Sequence, residues 1–392
     1  MIALSFLGKG KYEPADYLNS ESNRVHSTKY FVSYIQEFFK PEKIFVIMTD
    51  EAEQMHGSAL AETVQYEKIK IPSGKNEKEL WEIFERIAEK VPDDSELVID
   101  VTHGFRSQPM IVLAAATFLK TVKNVKIKSV LYGAFEAKNE AGQTPVFDIT
   151  PFLNIMDWSI AVGQFVKLGN AELLQTILEE LHTTAHKQGQ EIKPKQLKNY
   201  GAILRKITES FSLNRPAEIL ENASILADKT SHVKDDVKNL YYAKPLGMLL
   251  DKIESNFSPL SMKKNDLFTP SGFNAQCYMI KYYLETHQFV QAVTLSREVI
   301  VSKLCALDNL DPLKRDTREA KEKYLNSLEQ INRITLNPDG KTVELVRLWS
   351  RIRDIRNDID HSGMNRNPTP AKTLIENVND YCSQVIEFVN AP

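Results

Sequence analysis

Up to residue 150 the 392-residue chain alternates short β-favouring runs with amphipathic segments of helical period, and that alternation leaves few folds open. Residues 2–7, 43–48, 64–71, 97–101 and 125–135 read as strands, and residues 26–39, 51–63, 76–91 and 107–122 as helices. In 76–91, Leu80, Ile83, Phe84 and Ile87 fall on one face of a 3.6-residue period. Strands separated by helices imply a mostly parallel sheet covered on both faces. Such sheets bind ligands at the carboxyl ends of their strands. After Thr150-Pro151 the strand signal stops. Residues 152–211 are helical, with Leu173, Leu174, Ile177, Leu178 and Leu181 in one stripe, and 276–310 read as one long amphipathic region. The highly charged stretch 312–323 reads as a solvated, mobile segment. The expected architecture is therefore α/β followed by all-α: a Rossmann-like domain over 1–150, a helical connector over 151–272 and a second helical domain over 273–392.

Composition narrows the function. A chain of this length exceeds the usual ceiling for one hydrophobic core, which fits two or three domains. The longest apolar runs, such as 110–119, fall well short of the roughly 18 residues of a membrane span, and residues 1–7 lack the basic leader of a signal peptide. The expected location is the cytoplasm, with no membrane partner. Cys277, Cys305 and Cys382 are far apart within apolar helical patterns and read as buried thiols, and no metal site is signalled. A net charge of −3 argues against bulk binding of nucleic acid, so any anion must be held by local clusters.

Two loops have such a composition. Gly8-Lys9-Gly10-Lys11-Tyr12 follows the first strand, and Thr102-His103-Gly104-Phe105-Arg106-Ser107 follows the run Leu97-Val98-Ile99-Asp100-Val101. In the second loop, Ser107 can cap the next helix, Gly104 lets backbone approach a ligand, and Arg106 adds a fixed charge at the anion-favouring helix start. His103 and Phe105 beside an arginine suit a nucleobase as well as a phosphate. A dinucleotide cofactor fits poorly, because Glu13 stands where a third glycine belongs and Asp50 lies about twice the usual ~20 residues downstream.

The last informative helix covers about 342–360. Leu345, Leu348, Ile352, Ile355 and Ile359 form its apolar stripe, Arg347, Arg351, Arg353 and Arg356 lie on its other sides, and Gly363 and Pro368 stop it. It closes on Arg356-Asn357-Asp358-Ile359-Asp360-His361. On a straight helix Arg356 and His361 point about 140° apart. The structural reading is an Arg356–Asp360 pair one turn apart, with His361 favoured by the helix dipole. The functional reading is RNA cleavage, in which the 2′-OH is the built-in nucleophile, histidine exchanges protons and arginine stabilises phosphoryl charge.

The spacing from Arg356-Asn357 to His361 resembles the RxxxxH motif of HEPN ribonucleases, and residues 288–298, from Gln288 to Glu298, resemble another recurrent HEPN segment. Asp100-Val101-Thr102-His103-Gly104-Phe105-Arg106-Ser107 is similar to the signature of CARF sensor domains in CRISPR-associated CARF-HEPN proteins. That resemblance implies a homodimeric effector of type III CRISPR immunity with a CARF domain over 1–150 and a HEPN domain over 273–392. It implies a cyclic oligoadenylate activator, tetra-adenylate ahead of hexa-adenylate, a single-stranded RNA substrate, no cofactor and no stable association with the CRISPR effector complex. By similarity Arg356 and His361 form the catalytic pair with Asn357 in support. Gly8, Lys9, Gly10, Lys11, Thr102, His103, Gly104, Phe105, Arg106 and Ser107 match the ligand loops; Lys9, His103 and Ser107 read first as binding groups, with assistance to slow degradation of the activator as the second reading. The alternatives are a ligand-responsive transcriptional regulator, with the Arg347–Arg356 face as its only DNA-reading candidate, and a toxin-like HEPN nuclease answering a different nucleotide.

Overall fold

The structure is a computed structural model that describes residues 1–20, 22–104, 108–187, 193–240, 243–332, 340–364 and 366–391. The chain divides into two compact units, Met1–Met156 and Asp157–Pro392.

In the first unit the strands are β1 (Ile2–Leu7), β2 (Ala15–Asn19), β3 (Arg24–Thr28), β4 (Lys43–Met48), β5 (Glu67–Lys70), β6 (Glu96–Asp100), β7 (Lys126–Gly133) and β8 (Thr144–Asp148). The helices are α1 (Phe31–Phe39), α2 (Asp50–Ala61), α3 (Glu77–Lys90), α4 (Gln108–Val122) and the start of α5 (Thr150–Leu168). The sheet order is β3-β2-β8-β7-β6-β1-β4-β5. β1 runs parallel to both β4 and β6, and all six of its residues are buried, as an apolar central strand covered on both faces requires. Ile2, Leu4 and Phe6 join one core with Ile83, Ile87, Val112 and Leu119, whereas Ala3 joins the other with Phe31, Ile35 and Leu60. From β1 the chain builds outward through β4 and β5, then returns to place β6 on the opposite side. The loops after β1 and β6 therefore flank the switch point, where no crossover helix fills the crevice.

Two expectations need correction here. Residues 26–39 are not one helix: β2 and β3 form an antiparallel hairpin, and α1 starts only at Phe31. These five-residue strands bury few side chains on one face, Ala15 and Tyr17 in β2 and Thr28 in β3, so their apolar signal is weak. β8 is also additional. It pairs antiparallel with β7 and parallel with β2, so the mostly parallel sheet has a mixed end. The turn before it is held by Asn139, whose Oδ1 accepts from the Ala141 and Gln143 amides, with Gly142 at φ +75°.

In the second unit the described helices after α5 are α6 (Glu172–Lys187), α7 (Leu197–Ser212), α8 (Pro216–Asn239), α9 (Lys244–Phe257), α10 (Pro270–Glu285), α11 (Phe289–Leu307), α12 (Arg315–Asn332), α13 (Gly340–Asp360) and α14 (Ala371–Asn390). α6 to α9 pack in sequence, and α11 is the hub against which α10, α12, α13 and α14 pack. The region 276–310 is two helices rather than one. The chain turns at residues 286–288, where His287 adopts φ +58° and the Gln288 amide bonds back to Tyr283 O. Residues 312–323 are not a free charged strap either, because most belong to α12. Arg318 bonds Ser302 Oγ (2.8 Å), Pro312 O (3.0 Å) and Glu298, Trp349 Nε1 bonds Asn326 Oδ1 (2.9 Å), and Leu325 is fully buried. Its charges face complementary groups on neighbouring helices, a pairing that charge density alone does not reveal. The three cysteines are free and buried, as expected.

Candidate functional site

At the carboxyl edge of the sheet lies a cavity of about 460 Å³ lined by residues that include Tyr12, Tyr17, Thr102, His103, Tyr132 and Phe135, with Lys11, Glu13 and Glu136 at its rim. Three side chains organise the loop after β1. Tyr12 packs between His103 (ring centroids 4.2 Å apart) and His56 (4.8 Å). His56 Nε2 donates to Gly10 O (2.8 Å), and its Nδ1 accepts from the Tyr30 hydroxyl (3.3 Å). The Gly8 amide donates to Tyr12 Oη (2.8 Å). Gly8 has no room for a side chain: a Cβ there would lie 2.8 Å from His103 O and 3.0 Å from Tyr12 Oη. The glycine is thus a steric requirement of two loops meeting.

The loop after β6 is held from below. Asp100 is completely buried, accepts from Ser5 Oγ (2.5 Å) and from the Thr102 amide (2.7 Å), and burial raises its carboxyl to about 6 despite those bonds. Thr102 Oγ1 accepts from the Gly133 amide (2.9 Å), which links the loop to β7. The Phe31 amide donates to His103 Nε2 (3.4 Å), so the ring carries its proton on Nδ1. Burial, reinforced by His56, lowers His103 to about 4, so at neutral pH it is a neutral imidazole with an N–H to offer.

These two shifts predict opposing pH slopes. His103 takes up its proton in the unfolded chain first, so its contribution makes stability rise with pH between about 4 and 6.5. Asp100 keeps its proton longer in the folded chain, so its contribution makes stability fall between about 4 and 6. Each variant is read against the parent's own slope across pH 4 to 6, to which the other carboxylates contribute. Relative to that slope, His103→Gln should lose stability as pH rises through this window and Asp100→Asn should gain, each by on the order of 2 kcal/mol. Denaturant titrations at pH 4, 5 and 6 read the slopes, and slope changes of equal sign in both variants would refute the assignment.

Of the sensor residues anticipated from sequence, the structure brings Gly8, Gly10, Lys11, Thr102 and His103 to this edge. Lys9 is exposed and does not line the cavity, and Gly104 is half-buried. Phe105, Arg106 and Ser107 lie outside the described residues. Sequence reasoning placed Tyr12 in the first loop without giving it a role, and it assigned nothing at this edge to His56, Glu13, Tyr17, Tyr132, Phe135 or Glu136. Tyr12 was legible as an aromatic next to the glycines. The others reach the edge only through the hairpin, α2 and the end of β7.

In the second unit α13 runs straight to Asp360 and ends in a Schellman turn: the Gly363 amide bonds Asp358 O (2.9 Å), the Ser362 amide bonds Ile359 O (2.9 Å), and Ser362 takes φ +55°. Arg356 Nε lies 2.7 Å from Asp360 Oδ2, the one-turn ion pair of the structural reading. His361 and Asn357 instead line a different feature, an open cavity of about 370 Å³ that also includes Asp354, Asp358, Thr369 and Asn377. Within one chain Arg356 and His361 are therefore not brought together, as the 140° estimate anticipates. The remaining arginines of this helix are largely engaged. Arg353 pairs with Glu329 (2.7 Å) and Asp354 (3.1 Å), and Arg351 sits over the Tyr381 ring at 5.0 Å.

Comparison with known proteins bears on both units. Residues 56–136, which include β6, the loop after it and α4, match the family described as the CARF domain of the CRISPR system endoribonuclease Csx1. The first unit is thus similar to the CARF domains of CRISPR-associated proteins. Residues 154–262 match the second domain of the CRISPR-associated protein MJ1674. MJ1674 of Methanocaldococcus jannaschii is 26% identical over 302 residues, which is 76% of this chain and 42% of that protein. The chain thus spans less than half the length of that relative. Among the described residues no helix is long and apolar enough to cross a membrane.

Proposed function

We propose that this CARF protein is a cyclic-oligoadenylate-activated endoribonuclease of type III CRISPR defence, acting as a homodimer on single-stranded RNA. The observation that carries the proposal is the order of parts: a CARF match on the first unit, and Arg356-Asn357 followed by His361 at the end of a helix in the second. The divergence of Arg356 and His361 within one chain favours a composite site, in which two copies supply an arginine and an imidazole from facing helices. The 2′-OH attacks the adjacent phosphorus, its proton passes to a histidine, and the 5′-oxygen leaves as it gains a proton. The products are a 2′,3′-cyclic phosphate and a 5′-hydroxyl. Arginine holds the charge that grows on the phosphoryl oxygens. Activation requires that the ligand bind one arrangement of the dimer better than another.

Cyclic tetra-adenylate is the favoured activator and the hexa-adenylate ring the second choice. The transcriptional-regulator reading loses support from α13, because three of its four arginines already have carboxylate or aromatic partners on the protein. The test is cleavage of a fluorescent single-stranded RNA with no ligand, with each ring, and with duplex DNA as competitor. The expected result is stimulation by one ring and indifference to DNA. Cleavage unaffected by either ring would defeat the sensor assignment, and specific DNA protection without cleavage would restore the regulator.

A further inference from the structure

The attacking 2′-OH of an RNA sits on C2′ of its ribose, and the base sits on the adjacent C1′. Wherever an imidazole takes the hydroxyl proton, the base of the same nucleotide therefore lies beside it. His361 lines the cavity of about 370 Å³ between the end of α13 and the start of α14, a volume at the small end of the range for ligand pockets. Asp354, Asp358 and His361 follow one another at intervals of four and three on one face of α13, and Leu374 and Asn377 close the cavity from α14. Ile355 and Leu374 give it apolar wall, and no lysine or arginine is among its described lining residues. Two carboxylates without a cation repel a phosphate, so the cavity suits a base and not the backbone.

The lining also discriminates among bases. A carboxylate only accepts hydrogen bonds, whereas the Asn377 amide both donates and accepts and can hold any base edge. Adenine, cytosine and guanine each carry an exocyclic amino group, but uracil turns O4, an acceptor, to the place where cytosine has its N4 donor. Asp354 is exposed and paired with Arg353 (3.1 Å), whereas Asp358 is half-buried, where an electrostatic mismatch is less screened by water. Resting on the nuclease reading above, we propose that this cavity receives the base of the nucleotide that supplies the 2′-OH, and that Asp358 makes it select bases with an exocyclic amino group over uracil.

The experiment uses the full-length protein with saturating activator and two oligonucleotides 2′-O-methylated at every position but one, which is C in one strand and U in the other. Cleavage can start only from the single free 2′-OH. The C strand should be cleaved about five- to a hundredfold faster than the U strand, the cost of facing two acceptors at each other. In Asp358→Asn, whose amide can donate to O4, that ratio should fall toward one. Both strands are compared on one protein, so a partly unfolded preparation does not alter the ratio. Equal cleavage of the two strands by the parent, or a ratio that Asp358→Asn leaves unchanged, overturns the base pocket and leaves the nuclease reading standing. A second readout is free of cleavage and of the variant: the methyl resonance of Met364, which is 87% exposed and lines the cavity, in the 13C-methyl-methionine parent. It should move at lower concentrations of cytidine than of uridine, and an equal response, or none at millimolar nucleoside, overturns the proposal. If the parent cleaves neither strand the nuclease reading falls, and a cytidine-selective shift of Met364 then upholds the pocket alone.

Discussion

His361→Ala should bind cyclic tetra-adenylate as the parent does yet cleave activated RNA at least about a hundredfold more slowly, the low end of what a positioned acid–base group supplies. Arg356→Ala should lose a comparable factor by a different route, because the guanidinium acts on phosphoryl charge rather than on a proton. The two losses should not multiply in the double variant if the side chains serve one transition state. Folding is not expected to confound the result. His361 is exposed at the helix end, and the Arg356–Asp360 pair is a half-exposed one-turn contact worth a few tenths of a kcal/mol. Quenched-flow or gel-based cleavage with saturating ligand measures the rates, and ligand titration by calorimetry measures the binding. Full cleavage by either single variant would defeat the catalytic assignment. Mixing the two single variants adds a sharper check on the dimer, since a composite site built from two chains predicts partial recovery only if one intact half-set suffices.

Gly133→Ala should destabilise the first unit by about 3 kcal/mol, although it adds a single methyl group. The new Cβ would stand 2.6 Å from Tyr17 Cε1 and 2.8 and 2.9 Å from the Phe31 ring. Neither ring can retreat cheaply. Tyr17 and Phe31 are buried against each other edge-on at 4.9 Å, and Phe31 stacks on Tyr34 at 5.0 Å. Tyr17 also lines the candidate ligand cavity, and the Gly133 amide holds Thr102, so the same substitution should weaken ligand binding along with the fold. Urea unfolding, together with ligand titration below the transition, separates the two effects. A loss under 1 kcal/mol would mean that the aromatic cluster has slack that its packing does not show.

The parts that were legible in the sequence are those in which one local period settles the outcome. β1, β4 and β6 are apolar enough to declare themselves central strands, and the stripes of α3 and α13 do bury Ile83, Ile87, Leu348, Ile352 and Ile355, although Leu345 and Ile359 stay half-buried and the spacing passed over the buried Val346 and Trp349. The hairpin β2–β3 and the strand β8 were hidden, because they bury part of one face and depend on partners far along the chain. α12 was hidden for the opposite reason: its charges look like solvation until Glu298, Ser302 and Trp349 are set opposite them. At the sensor edge the glycines, lysines and His103 stand out as residue types.

The chain's order of residues alone settled that an α/β unit precedes a helical one, that glycine- and lysine- or histidine-bearing loops follow two of its strands, and that Arg356 and His361 close one helix, because each of these is written in short-range periodicity and spacing. Tertiary structure decided which oxygen the Gly8 amide meets, that His56 and Tyr30 brace the glycine turn, and that His103 stays neutral. Those outcomes depend on burial and on contacts between residues tens of positions apart. Desolvation and packing act through space, and a linear pattern does not contain them.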